Sequence, residues 1–172
     1  MLMEIGDNPL RGQQASGETP ETGSGRRLDL AAQTLRDEVV ARWGREVLAG
    51  DGLGFDDEAV CESHRLDPEG VDHALDLRVD FEGTGLGLSV EDGMWLAEYL
   101  RGVGRRTGRF SYLIHRGQIA GAFSGWRWGR YRGPGATMDR IHLSVCEVHS
   151  GEASLLDPEI FDSTKPWGIR AA

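Results

Sequence analysis

Cysteine is scarce in this chain, which has only Cys61 and Cys146 among its 172 residues. Two isolated cysteines cannot form the framework of several disulfides that stabilises small secreted domains, and they do not form a CxxC metal motif. We therefore expect two free, buried thiols.

Long apolar runs are also lacking. No stretch reaches the 18 or so consecutive apolar residues of a membrane helix, and the first residues, "MLMEIGDNPL", lack the basic segment followed by an apolar one that typifies a secretory signal. These absences predict no membrane span and synthesis in the cytoplasm. If the protein acts outside the cytoplasm, another factor must carry or release it.

Positive charge is in deficit, because 19 Lys and Arg face 28 Asp and Glu, giving a net charge of −9. This balance argues against a protein that follows nucleic-acid phosphates, so we expect no nucleic-acid partner. Two local basic stretches, "RGVGRRTGR" at 101–109 and "WRWGRYR" at 126–132, leave a single-stranded nucleic acid open as an alternative. They suit an anionic glycan–peptide polymer equally well.

Glycine and tryptophan, by contrast, are plentiful, at 25 and five residues. A chain of this length forms about one domain with its own core. Residues 5–26 are rich in Gly, Ser, Thr, Pro and Glu without periodicity, which is typical of a flexible segment. We therefore divide the chain into a flexible tail at 1–27, a domain at 28–150 and a C-terminal extension at 151–172 with weak structural signals.

Hydrophobic periodicity within the domain predicts an α+β fold. Helical spacing begins at Leu28 and ends near Gly44, and a second helix follows a capping box at Ser89 and Asp92. Alternating patterns predict a strand in "VDHALDLRV", a hairpin around "HRGQ" and a last strand in "MDRIHLSV". The result is a small, mostly antiparallel sheet with flanking helices.

Three polar residues are candidate ligands of a catalytic zinc, which needs three protein donors and one open position. Asp76 and His142 lie on the non-core faces of their strands, and His64 lies in the long loop between the first helix and the first strand. Pairing the two strands side by side would bring Asp76 and His142 together. The alternative is that His142 is an ordinary strand histidine, as we expect of His73, His115 and His149.

Several stretches resemble a known family. "ESHRLDPEGVDHALDL" is similar to the serine–histidine, glycine and alanine–x–aspartate signature of zinc D-alanyl-D-alanine carboxypeptidases and L-alanyl-D-glutamate endopeptidases, in the form found in actinobacterial phage lysins. "LAAQTLRDEVVARWG" resembles their leading helix, "SYLIHRGQIAGAFSGWRW" their hairpin and "YRGPGATMDRIHLSV" their closing ligand strand. The resemblance covers about Leu28 to Val145 and implies a Hedgehog/DD-peptidase fold.

The resemblance implies one Zn²⁺ on His64, Asp76 and His142, with Asp139 as the general base. A carboxylate beside a zinc-bound water can take its proton and return it to the leaving amine. Four residues are candidates for holding the oxyanion or a substrate carboxylate, and the sequence does not rank them: Ser63, Arg78, Tyr131 and Arg140.

The sequence departs from the family at two positions of the closing motif. Histidines of relatives are replaced here by Arg140 and Thr137, and an arginine can stabilise charge but cannot shuttle a proton. Ser63 is also adjacent to His64 rather than one residue removed from it. The resemblance predicts a monomeric zinc peptidase that cuts a peptidoglycan stem peptide. The departures at Arg140 and Thr137 favour the alternative, a catalytically weakened relative that serves as a wall-binding or virion structural module.

Overall fold

The protein is described by a computed structural model that covers residues 27–49, 67, 69–133, 136–145, 148–149, 152–153 and 163–170. Within these ranges it contains two α-helices and nine short strands. In chain order they are β1 (Arg27–Leu28), α1 (Leu30–Trp43), β2 (Val71–Asp72), β3 (Ala74–Arg78), α2 (Val90–Thr107), β4 (Tyr112–His115), β5 (Gln118–Gly121), β6 (Gly129–Arg130), β7 (Arg140–Ser144), β8 (Val148–His149) and β9 (Glu152–Ala153).

Five of the strands form one antiparallel sheet in the order β3-β7-β4-β5-β6. The last strand of the sheet in sequence, β7, therefore inserts between β3 and β4. This arrangement confirms the predicted α+β class with an antiparallel sheet. It also adds a two-stranded parallel pair, β1 and β2, that the pattern did not predict.

Helix boundaries follow the local sequence signals. Asp29 caps α1 by accepting a hydrogen bond from the Ala32 amide, and Gly44 ends it. Ser89 caps α2, as the capping box predicted, by accepting from the Asp92 amide. These side chains satisfy amide groups that have no partner inside the helix.

The strands of the sheet present two different faces. Alternate residues of β3 and β7, such as Leu75, Leu77 and Leu143, join α1 and α2 in the hydrophobic core. The residues between them, including Asp76 and His142, therefore point away from the helices because side chains alternate along a strand. On β3 and β7, one face belongs to the core and the opposite face carries the polar residues, whereas β4 and β5 place Ile114 and Ile119 on that second face.

The C-terminal segment 163–170 packs on the domain although its sequence pattern is weak. Trp167 is buried, and its indole N–H donates to the Ala31 carbonyl in α1. The amides of Trp167 and Ile169 both donate to the Glu38 carboxylate at 2.7 Å. These contacts attach the end of the described chain to α1.

Candidate metal centre

The register of β3 and β7 places Asp76 directly opposite His142. The two side chains lie on the face that points away from the helices, and each is only 1% exposed. Nδ1 of His142 donates to Oδ1 of Asp76 at 2.8 Å. Two of the three predicted ligands are therefore in contact, although 66 positions separate them in the sequence.

The Arg140 guanidinium lies near the second oxygen of the same carboxylate. Arg140 is two residues before His142 on β7, and its Nη1 is 3.5 Å from Oδ2 of Asp76. Its Nε is 3.6 Å from Oδ1 of Asp139. A single guanidinium thus connects the candidate ligand with the predicted general base.

The donor atoms of Asp76 and His142 suit a zinc ion. Two ligand atoms of a tetrahedral zinc, each about 2.0–2.1 Å from the metal, lie roughly 3.4 Å apart. The observed 2.8 Å would have to open by roughly 0.6 Å, with loss of the proton between the two atoms. The contact of Arg140 with Oδ2 leaves Oδ1 turned towards His142, which is the type of outer contact that orients a metal ligand.

The predicted third ligand, His64, and the neighbouring Ser63 lie outside the described residues. Within the described ranges, no group of three or more His, Cys, Asp and Glu side chains is placed to hold a metal ion. The described part of the centre is therefore a buried aspartate–histidine pair with its arginine.

A cleft of about 540 Å³ lies next to Arg140, and its lining includes neither Asp76 nor His142. Three predicted site residues line it: Arg78, Asp139 and Arg140. Its other wall is the loop between β3 and α2, where Asp80 accepts hydrogen bonds from the amides of Thr84 and Gly85. These hydrogen bonds, above all the one from the Thr84 amide, lower the pKa of the Asp80 carboxyl. They also hold the loop that forms this wall of the cleft.

Arg78 lies directly opposite Arg140 in the strand register. Like charges at opposite positions of a strand pair repel each other, so an anion between them would be stabilising. Arg140 already contacts two carboxylates, whereas Arg78 has no ion pair with any side chain that the structure describes. This leaves the Arg78 guanidinium as the candidate partner for a carboxylate entering the cleft.

Tyr131 lies at the other edge of the sheet. It follows β6, and its amide donates to the Gly117 carbonyl at the hairpin turn. Three strand spacings separate β6 from β7, which places Tyr131 about 14 Å from the strand of His142. The sheet therefore does not bring the Tyr131 backbone to the aspartate–histidine pair.

A second polar cluster was not predicted. His73, which we expected to be an ordinary strand or surface histidine, is buried between two carboxylates. Its Nδ1 is 3.0 Å from Asp29 and its Nε2 is 3.2 Å from Asp67. Burial raises the pKa of the Asp29 carboxyl despite the opposing bond to His73. The cluster connects the start of α1 with the start of the sheet, and no local signal indicates it, since Asp29 lies 44 positions from His73.

Comparisons of the chain with protein-family models, with curated proteins and with solved structures gave no match. Among the described helices, none combines the length and apolar character needed to cross a membrane.

Proposed function

We propose that this protein is a zinc-dependent peptidase that cleaves a bond in the stem peptides of peptidoglycan, with a domain of the Hedgehog/DD-peptidase type. The observation that carries the proposal is the buried contact of Asp76 with His142, beside a cleft that holds Asp139, Arg140 and Arg78. Aspartate and histidine are common zinc ligands, and His64 would be the third. When bound, the zinc would polarise the scissile carbonyl and lower the pKa of a water molecule.

The residues of the chain would supply the remaining chemistry. The Asp139 carboxylate, which is 60% exposed, would accept a proton from the attacking water and return it to the leaving amine. Arg140 would hold Asp76 and Asp139 in place and remain positively charged throughout. Arg78 would bind a carboxylate of the peptide, because a guanidinium can donate two parallel hydrogen bonds to it.

The first experiment is to measure zinc in the purified protein by elemental mass spectrometry. We expect one zinc per chain, lost in His64→Ala, Asp76→Ala and His142→Ala. His115→Gln is the matched control, since His115 lies on the opposite face of the sheet and should leave the zinc content unchanged. Absence of zinc in the wild type after zinc is supplied would overturn the proposal.

Turnover is tested on the zinc-loaded protein with soluble stem peptides, using mass spectrometry to identify the products. Peptidase activity predicts one new amino and one new carboxyl terminus, and loss of cleavage in Asp139→Asn with zinc retained. A zinc-loaded wild type that leaves every stem peptide intact would instead favour the weakened relative that binds the wall or serves in a virion.

A further inference from the structure

A buried histidine lies between two carboxylates at the start of the domain. His73 is located between β2 and β3 and is only 9% exposed. Its Nδ1 is 3.0 Å from Oδ2 of Asp29, at the start of α1, and its Nε2 is 3.2 Å from Oδ2 of Asp67. We call this set of three side chains the His73 bridge.

Backbone amides hold both carboxylates of the His73 bridge in place. Oδ1 of Asp29 accepts a hydrogen bond from the Ala32 amide at 2.7 Å, and Oδ1 of Asp67 accepts from two amides of the turn 67–71 at 2.8 Å. The second oxygen of each carboxylate faces the imidazole ring. Neither carboxylate can therefore turn away from His73 without losing hydrogen bonds to the backbone.

This geometry is satisfied by a ring that carries two protons. An ionised carboxylate can only accept hydrogen bonds, and a neutral imidazole has a single N–H. A neutral His73 would place a nitrogen lone pair against one of the two carboxylates, whereas a protonated ring donates to both. Both hydrogen bonds are then charge-assisted, which makes them stronger than bonds between neutral groups.

The second proton belongs on the ring rather than on a carboxyl group. Burial raises the pKa of Asp29 from 3.8, and the charge of Asp72 adds to this, but the hydrogen bond and the charge of His73 act in the opposite direction. For Asp67, the hydrogen bonds from Val71 and His73 outweigh burial and lower the pKa. Histidine, with an ordinary pKa of about 6.5, is a stronger base than an aspartate.

We propose that the His73 bridge is a pH-dependent link between α1 and the turn 67–71, closed while the ring is protonated. Loss of the ring proton as the pH rises leaves one N–H for two carboxylates. That N–H stays with Asp29, whose side chain is 1% exposed, because a buried carboxylate cannot replace the bond with water. The contact with Asp67, whose side chain is 29% exposed, is the one that opens.

The His73 bridge lies between two candidate metal ligands in the sequence. Asp67 follows His64 by three residues, and His73 precedes Asp76 by three. The His73 carbonyl also accepts from the amide of Val145, which directly follows β7. His73 is therefore a positioning residue for the zinc site, a consequence that rests on the proposed function.

Nitrogen NMR of the zinc-free full chain tests the bridge itself. We expect both ring nitrogens of His73 to be protonated at pH 7, and loss of their signals in His73→Gln assigns them. The titration midpoint should be about pH 7.5 or higher, because opposite charges at this distance shift it by about one pH unit or more. In the urea-unfolded chain the midpoint should return to about 6.5.

Asp67→Asn removes one of the two negative charges at the ring and should lower the midpoint by about one pH unit. Glu69→Gln is the matched control, since Glu69 belongs to the same turn but its carboxylate is 3.7 Å from Arg27 on the surface. It should titrate as the wild type does. Because Asp67 is partly exposed, Asp67→Asn keeps the test decisive if His73→Gln fails to fold.

Two results of the titration would overturn the inference. The first is a wild-type midpoint at or below the unfolded value of about 6.5. The second is an Asp67→Asn midpoint equal to that of the wild type, because the Asp67 charge would then not hold the proton.

Zinc binding tests the positioning role. Chelator competition at pH 7 should show a several-fold lower zinc affinity in Asp67→Asn than in the wild type and Glu69→Gln. The difference should vanish at a pH about two units above the measured midpoint, where the wild-type bridge is open, whereas a purely structural defect would persist. Equal affinity at pH 7 would overturn the positioning role. If the wild type binds no zinc, the proposed function fails, whereas the NMR titration still decides the bridge.

Discussion

At the scale of single residues, Arg140 and His142 contact different oxygens of the Asp76 carboxylate. The Arg140 guanidinium lies 3.5 Å from one oxygen of Asp76, while His142 binds the other at 2.8 Å. Arg78 lies opposite Arg140 on β3, the strand that also carries Asp76. The structure describes no contact between the Arg78 and Asp76 side chains. The two arginines of the cleft should therefore have different roles.

We predict that Arg140→Ala lowers zinc affinity by about 10- to 100-fold, the usual effect of removing a residue that orients a metal ligand. Arg78→Ala is the matched control and should retain the wild-type zinc affinity while raising KM for a carboxylate-bearing peptide. Chelator competition measures the affinity. An equal decrease in both variants would mean that charge near the site matters, rather than the contact with Asp76.

Arg140→His distinguishes the two functional hypotheses. If Arg140 works in a functioning site, replacing it removes the contacts with Asp76 and Asp139 and lowers kcat. A large gain in kcat on stem peptides would show instead that this chain is a weakened enzyme, restored by the histidine of the peptidases that it resembles.

His115 should make stability depend on pH. Burial lowers its pKa from the ordinary 6.5, so the unfolded chain binds the proton more readily than the folded protein. The free energy of unfolding is therefore higher above pH 6.5 and decreases as the pH falls from 6.5 through the folded-state pKa. Urea unfolding at pH 7.5 and 5.5 should show that the advantage of the wild type over His115→Gln is smaller at the lower pH. A pH-independent difference would contradict this prediction.

At the scale of elements, helix α2 contains three glycines, and two of them, Gly102 and Gly104, lie in different surroundings. An added Cβ at Gly104 would overlap the buried ring of Trp126, whereas at Gly102 the nearest atom is the mobile end of Arg106, at 3.1 Å. Gly104 is therefore required by close packing between α2 and Trp126. Gly102 has no such constraint.

We predict opposite effects for the two alanine variants. Gly104→Ala should lower the free energy of unfolding by about 1–3 kcal/mol through overpacking. Gly102→Ala should raise it by up to about 1 kcal/mol, because alanine favours the helix. Chemical denaturation checks both, and destabilisation of similar size at both positions would show that the packing against Trp126 is not responsible.

The hairpin illustrates which elements a local sequence can predict. The "HRGQ" turn forms as expected between β4 and β5, with φ of 51° at Arg116 and 66° at Gly117. Both values lie in the left-handed region that two-residue hairpin turns of type I′ require. The pattern predicted the turn but not the burial of His115 beside it, because that burial depends on α2.

At the scale of the whole molecule, the segment 163–170 connects α1 and α2. The Arg109 guanidinium lies 4.1 Å from the centre of the Trp167 ring, and the Tyr99 hydroxyl donates to the Trp167 carbonyl at 2.8 Å. Together with the bonds to Glu38 and Ala31, these contacts make Trp167 part of the core. The segment thus contributes to the stability of the domain.

Trp167→Ala should lower the free energy of unfolding by about 3–5 kcal/mol, because it removes a large buried ring. Lys165→Ala, an exposed position of the same segment, should change it by less than about 0.5 kcal/mol. Thermal and urea unfolding measure both variants. Wild-type stability in Trp167→Ala would show that the segment is not an integral part of the domain.

The sequence by itself determined the features that depend on neighbouring residues. Periodicity indicated α1, α2, the hairpin and the strands of Asp76 and His142, and capping residues marked the helix starts. These features were predictable because side-chain spacing and hydrogen bonds within a few residues control them. The alternation also placed Asp76 and His142 on polar faces.

Only the tertiary structure decided which of these faces meet. The insertion of β7 between β3 and β4 set the register that joins Asp76 to His142, and it directed Arg140 to both carboxylates. The burial of His73 between Asp29 and Asp67 and the attachment of Trp167 likewise depend on distant segments. Such contacts arise when the whole core packs, because no local spacing specifies which strands and helices become neighbours.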